Sequence, residues 1–226
     1  MQPHEITKEF EKALCEYTGA KYAVAVNSCT MALMLAVKWY VDKAPKAMPG
    51  YDPNSSESEK VWERHFQELR VSRPFIEIPR FTYNSVPMSI IHAGGKPAFR
   101  DEDWSGSYQL KPYLIWDSAR RFTSGMYKAR QFQCVSFHTS KILADTQGGA
   151  ILHDNGEADV WFRKARFDGR TEGVEPKDDD FILGYHCYMS PDVAARLLWK
   201  LSVLPKHNAD LPNSDYPDLS KQAIFR

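Results

Sequence analysis

KYAVAVNSCTMALMLAVKWY, residues 21–40, decides how the chain folds. KYAVAVN is a short apolar run with alanine and valine alternating, which reads as a buried strand. Ser28 and Cys29 break it, and TMALMLAVKWY then combines apolar residues with strong helix formers. Strand, short polar turn and helix make one α/β unit.

Upstream, residues 5–17 place Phe10, Ala13, Leu14 and Tyr17 on one helical face, and Gly19 stands where a helix end wants a positive φ. Downstream, FIEIP, KPAFRD, YLIWD, QFQCVSFH and GGAILHD follow as short apolar runs, several of them separated by helix-like segments. That alternation predicts an α/β fold with a mostly parallel sheet and helices on both faces. GEADVWFRKARF reads as a helix and TEGVEPKDDD as an acidic surface loop. Ser190-Pro191-Asp192 supplies an N-cap, a first-turn proline and a first-turn acid, so a helix is expected from Pro191 to about Leu204. Residues 43–60, rich in Pro, Gly, Asn, Ser and Glu, predict an exposed loop, and VWERHFQELR a short amphipathic helix after it. The tail from 205 to 226, with Pro205, Pro212 and Pro217, is expected to pack as coil. The chain then reads as one large domain over residues 1–204 followed by that tail.

Lysine plus arginine equals aspartate plus glutamate at 29 each, so no global field points to nucleic acid or an anionic membrane. Small molecules and copies of the same chain are the expected partners. Cys15, Cys29, Cys134 and Cys187 lie far apart with no C-x-x-C pair, which argues against a zinc site and a disulfide framework; no metal is expected. The reducing cytoplasm fits that cysteine usage. The first residues carry charges where a signal peptide needs an apolar run, and no stretch approaches the ~20 apolar residues of a membrane helix. Asn54-Ser55-Ser56 matches a glycosylation acceptor, but so short a match in a cytosolic chain is most simply chance.

In open α/β sheets ligands bind outside the carboxyl ends of the strands. Four such ends carry polar or aromatic residues: Asn27 to Thr30, Arg80 to Tyr83, Asp117 to Arg120, and Ser136 to Lys141. QFQCVSFH ends in Thr139-Ser140-Lys141 and is followed by Gly148-Gly149 at the entry to the next strand. A lysine in that position, desolvated, can attack a carbonyl and form a Schiff base; an ordinary surface lysine fits the same feature. Asp117 ends an otherwise apolar run and needs a partner. A protonated pyridine nitrogen is one and a salt bridge to Arg120 or Arg121 is the other. Ser28-Cys29-Thr30, at a strand-to-helix turn, suits a phosphate or a plain N-cap. No glycine-rich nucleotide fingerprint is present. Tyr83 suits stacking on a flat cofactor or burial in a core.

Taken together, N-S-C-T-M-A-L, P-R-F-T-Y, W-D-S-A-R, S-F-H-T-S-K and G-G-A-I-L come in the order and approximate spacing of one family. From about Glu5 to about Leu204 the chain resembles the DegT/StrS sugar-nucleotide aminotransferases, pyridoxal phosphate enzymes with the fold type I, aspartate aminotransferase-like large domain. The resemblance implies pyridoxal 5'-phosphate as cofactor, with Lys141 forming the Schiff base, Asp117 on the pyridine nitrogen and Tyr83 against the ring. It implies Cys29 and Thr30 amides and the Ser136 hydroxyl on the phosphate. It also implies a homodimer, an amino acid donor such as glutamate, and a keto or aldehyde acceptor such as a nucleotide-linked keto sugar. Arg120, counted with the cofactor-binding residues, stands where the family often has Gln, and Thr146-Gln147 where Gly-Glu is usual. His186 falls where an Asn usually reaches the neighbouring subunit's phosphate, and Tyr188 where an Arg is common. The small domain that commonly follows in the family is not expected within 226 residues. Three activities stay open: transamination, another pyridoxal phosphate reaction such as racemisation or decarboxylation, and binding of cofactor or a partner chain without turnover.

Overall fold

The computed structural model describes residues 4–43, 73–212 and 215–225. The expected loop near 43–60, apart from Lys43, and the helix expected at 61–70 lie outside the described residues.

The segment quoted first folds as read: β1 spans Tyr22–Val26 and α2 spans Cys29–Lys43. Ahead of them α1 covers Glu5–Thr18, and Gly19 ends it at φ 82° with its N–H on the Cys15 carbonyl at 2.9 Å. That is the left-handed end the glycine predicted. Next come β2 (Phe75–Pro79), α3 (Ser85–His92), β3 (Lys96–Arg100) and β4 (Tyr108–Leu110). After these run β5 (Ile115–Asp117), β6 (Phe132–Ser136), β7 (Gly149–His153), α4 (Gly156–Arg166) and α5 (Pro191–Ser202).

The main sheet has the order β1-β7-β6-β5-β4, and β2 and β3 form a separate pair. Side chains alternate across it as a strand requires. Val24, Val26, Cys134 and Ile151 face α2 and α4, whereas Ala23, Ala25, Val135 and Leu152 face α1 and α5. Both faces are therefore covered by helices, as expected.

The expectation of a mostly parallel sheet fails in the main sheet. Only β5 and β6 run parallel there; β1 with β7, β6 with β7 and β4 with β5 are antiparallel. The cause lies in the connections. Residues 111–114 join β4 to β5, far too few for a crossover, and residues 137–148 join β6 to β7 without an α-helix. The β2–β3 pair, joined through α3, is parallel.

Ser190 sits at the N-cap of α5 with extended backbone, but its hydroxyl donates to the Asp192 carboxylate rather than accepting from the helix. Asn155, at the start of α4, does cap, accepting from the Ala158 N–H at 3.0 Å.

β1 forms one edge of the sheet, and side chains satisfy its outer backbone groups. The Ala25 N–H donates to Glu11 Oε1 at 2.8 Å, the Ala25 carbonyl accepts from Arg166 at 2.7 Å, and the Ala23 carbonyl accepts from Arg163 at 3.2 Å. Glu11 closes the clasp by accepting from both arginines. An edge held this way offers no free ladder to another strand. Burial alone pushes the Glu11 carboxyl up, but the Arg166 and Arg163 guanidiniums outweigh it and hold it below the usual range. Its contribution to stability is therefore present at neutral pH and lost as pH falls through the acid range. Glu11→Ala, which removes the buried carboxylate shared by two guanidiniums, is expected to cost about 3 kcal/mol in urea unfolding at pH 7 and much less at low pH.

Among the described residues no helix is long and apolar enough to cross a membrane.

Candidate active site

A cavity of about 450 Å³ opens at the carboxyl ends of β5 and β6, where β1 also turns into α2. Its walls include Cys29 and Thr30 from the start of α2, Tyr83, Asp117, Arg120, Ser136 and Lys141. Seven of the eight site residues expected from sequence thus meet in one space.

Asp117 lies at its floor, 6% exposed. Its Oδ1 accepts the Ala119 N–H at 2.9 Å and its Oδ2 accepts the Tyr108 hydroxyl at 2.8 Å. Burial pushes its carboxyl above the ordinary range, against those two hydrogen bonds and the positive charges of Lys141 and Arg120. A buried anion of this kind is poised for a cationic partner in the cavity. The alternative of a salt bridge to Arg121 is not what forms: Arg121 grips Asp210 with two bonds of 2.9 and 2.6 Å. Arg120 acts on Asp117 through its charge while its Nε donates to the Tyr216 hydroxyl at 3.3 Å.

Lys141 is held by the turn that follows β6, its amide bonded to the His138 carbonyl at 2.9 Å. Its charge reaches both Asp117 and Cys29. Ser136 ends β6 at the cavity wall. Tyr83 is 58% exposed on the cavity wall and so does not fill a core.

The first amides of α2 have no acceptor within their own helix, and the helix dipole adds to their pull on an anion. The Ser28 hydroxyl takes the Met31 N–H at 3.2 Å, which fixes the turn. Thr30 bonds Ser85 at 2.8 Å and so ties the start of α2 to the start of α3. β7 approaches this turn so closely that a Cβ on Gly149 would stand 2.4 Å from the Cys29 nitrogen. Only glycine fits there. Gly149→Ala is expected to cost about 1–3 kcal/mol in thermal or urea unfolding, because the turn backbone must give way.

His186 is not in this cavity. Its ring is exposed, pairs with Asp168 at 3.0 Å and meets the Tyr188 ring at 4.9 Å. Sequence reasoning gave Thr82 no role of its own, though it lies in the Arg80 to Tyr83 strand end, and missed Trp104, Tyr108 and Tyr216. Trp104 and Tyr216 line one wall, nearly parallel at 16° with centroids 6.3 Å apart. Tyr216 comes from the tail, which is firmly attached: Tyr17 donates to the Pro205 carbonyl at 2.6 Å, and Leu219 is buried with its amide on the Arg80 carbonyl. Nothing local in the sequence announces such long-range packing.

The donor set fits pyridoxal 5'-phosphate. It offers a lysine, a buried carboxylate for a pyridine nitrogen, an exposed aromatic ring, and a helix start whose first amides can take a phosphate.

Comparison with known proteins agrees. The sequence family described as DegT/DnrJ/EryC1/StrS aminotransferases matches residues 2–46 and 125–211, more than half of the chain. The spore coat polysaccharide biosynthesis protein SpsC of Bacillus subtilis is 34% identical over 173 residues, which are 66% of this chain and 42% of that protein. A Campylobacter jejuni UDP-4-amino-4,6-dideoxy-N-acetyl-beta-L-altrosamine transaminase is 27% identical over 209 residues, 84% of this chain and 54% of its own length. The chain spans about half the length of these relatives. Among solved structures, Helicobacter pylori PseC, an aminotransferase of pseudoaminic acid biosynthesis, superposes with a TM-score of 0.63 at 15% identity, covering 87% of this chain and 57% of that one. AtS13 of Actinomadura melliaura gives 0.64 at 17%, covering 88% and 60%. These superpositions show the aminotransferase fold, and with the sequence match they establish that the chain belongs to the DegT/DnrJ/EryC1/StrS aminotransferase family.

Proposed function

We propose that the chain binds pyridoxal 5'-phosphate and transfers an amino group from an amino acid donor, such as glutamate, to a keto or aldehyde acceptor, such as a nucleotide-linked keto sugar. The observation that carries this reading is that Asp117 and Lys141 line one cavity at the strand ends, together with the start of α2. When bound, the cofactor supplies an aldehyde for an amine and a conjugated ring that draws electrons from the donor.

The remaining work falls to the chain. The amides of Cys29 and Thr30, with the Ser136 hydroxyl, bind the phosphate. The Asp117 carboxylate would hold a proton on the pyridine nitrogen, a cationic partner for a group whose ionisation burial opposes. Tyr83 covers the ring face. Lys141 Nζ would hold the cofactor and, when free, would move the proton of the donor's α-carbon. Trp104 and Tyr216 wall the space left for the acceptor and keep water from it.

The finer organisation is read the same way. Residues 1–204 make the cofactor-binding domain, and residues 205–226 a tail that contributes to its site. A homodimer in which exposed His186 donates to a phosphate held by the second copy accounts for a side chain outside its own cavity. A cytoplasmic location suits the four free cysteines.

The test is a half-reaction. Cofactor-loaded protein mixed with L-glutamate should lose the visible absorption of its lysine-bound cofactor and release 2-oxoglutarate in equal amount. An unchanged spectrum with every amino acid offered would leave cofactor binding without turnover as the function. Release of the opposite enantiomer or of carbon dioxide would assign another reaction.

A further inference from the structure

Thr82, Tyr108 and Asp117 come from three different segments and form one line of hydroxyls ending on a carboxylate. Tyr108 stands directly opposite Asp117 in the β4–β5 pairing, and both side chains are buried. Its hydroxyl donates to Asp117 Oδ2 at 2.8 Å and lies 2.6 Å from the Thr82 hydroxyl. An ionised carboxylate can only accept, so the Tyr108 proton is committed to Asp117 and Thr82 must donate to Tyr108. We infer that Tyr108, oriented by Thr82, is a positioning residue that keeps the Asp117 carboxylate charged and turned into the cavity. This inference rests on the proposed pyridoxal phosphate site for its purpose, though not for its geometry.

The surroundings explain why such a device is needed. Five groups face Asp117: Cys29 from α2, Tyr108 from β4, Cys134 from β6, Lys141 after β6 and Arg120 after β5. Burial pushes the Cys29 and Cys134 thiols up, so both are neutral at pH 7. Burial also acts on Asp117 itself and favours its protonated form. A protonated Asp117 would reverse the line, donating to Tyr108 and losing its hold on a cationic ring nitrogen. Two hydrogen bonds and two cations oppose that reversal, and of these the Tyr108 bond is the side-chain one. Hydrogen bonds to a charged acceptor are the stronger kind.

The test reads Asp117 without any cofactor and then with it. Carboxyl carbon resonances of the aspartate-labelled apoprotein are followed against pH, with Asp117→Asn identifying the signal. Tyr108→Phe should move the Asp117 midpoint up by about one pH unit. Because that variant leaves the Thr82 hydroxyl without an acceptor, Thr82→Val/Tyr108→Phe, which removes both partners, is measured beside it, with thermal unfolding as the check on folding. Pyridoxal phosphate titrations at a series of pH values should then show the acid limb of binding moved up by the same amount. An unmoved midpoint in both folded variants would overturn the inference, whatever the cofactor does. A moved midpoint in a protein whose wild type takes up no cofactor at any pH would uphold the Tyr108 role and sink the cofactor reading instead.

Discussion

Lys141→Ala is expected to reduce the glutamate half-reaction by about 10⁴-fold or more while leaving the protein folded. The proposed function gives Nζ two separate roles that are lost at once: the attachment point, and the group that moves the α-proton. Proton transfer by a positioned side chain alone accounts for about 10² to 10⁴-fold, and loss of the covalent route adds to it. Stability should barely change, because Lys141 is partly exposed in a turn that its backbone amide secures. Lys141→Arg keeps the charge near Asp117 and Cys29 yet cannot form the bond, so it should be as inactive as the alanine variant. Single-turnover kinetics on both variants, with circular dichroism to monitor folding, make the comparison. Activity retained in Lys141→Arg would mean that this lysine serves only through its charge.

Asp117→Asn is the second large effect, and its signature is that function and stability move apart. Catalysis should fall by about 10² to 10³-fold, the size seen when one preorganised electrostatic group is removed from an active site. Stability should hold or rise. Burial keeps the Asp117 carboxyl above its ordinary range, so the native state binds that proton more tightly than the unfolded chain does. Stability is therefore lost as pH rises from the ordinary carboxyl range through the raised one, and at neutral pH the ionised group is a net burden on the fold. A neutral asparagine lifts that burden. Urea unfolding of the wild type and variant at pH 7, set beside single-turnover rates, decides the matter. A variant both inactive and markedly less stable would recast Asp117 as a structural residue. The opposite pH dependence belongs to Glu11, whose lowered carboxyl stabilises the clasp on β1 at neutral pH.

Those two residues also mark what could be read from sequence and what could not. Asp117 was legible because it closes an apolar strand-length run and Lys141 because it follows one closely, and strand ends in an α/β sheet are where side chains leave the core. β1, α2 and the helix ends at Gly19 and Pro191 were legible for the same local reason, since period and capping chemistry act over a few residues. Strand direction was not. An apolar run of four or five residues looks alike in either sense, and direction is set by the length of the connection, as in the tight link between β4 and β5. β4 itself is three residues long and α3 eight, both too short for a clear period.

The hydroxyl line to Asp117 was invisible for another reason. Thr82 and Tyr108 are 26 residues apart, and the bond between them depends on two segments meeting at the sheet edge. Trp104 and Tyr216 come from still more distant segments, and Tyr216 from a tail that reads as coil. His186 was singled out by position, and the structure places it exposed beside Asp168, outside the cavity.

The most direct test of this account is to load the wild-type protein with pyridoxal phosphate, reduce it with borohydride and locate the added mass by peptide sequencing. A pyridoxyl group on Lys141, absent from Lys141→Ala, is the predicted result. Label spread over surface lysines, or none at saturating cofactor, would contradict it.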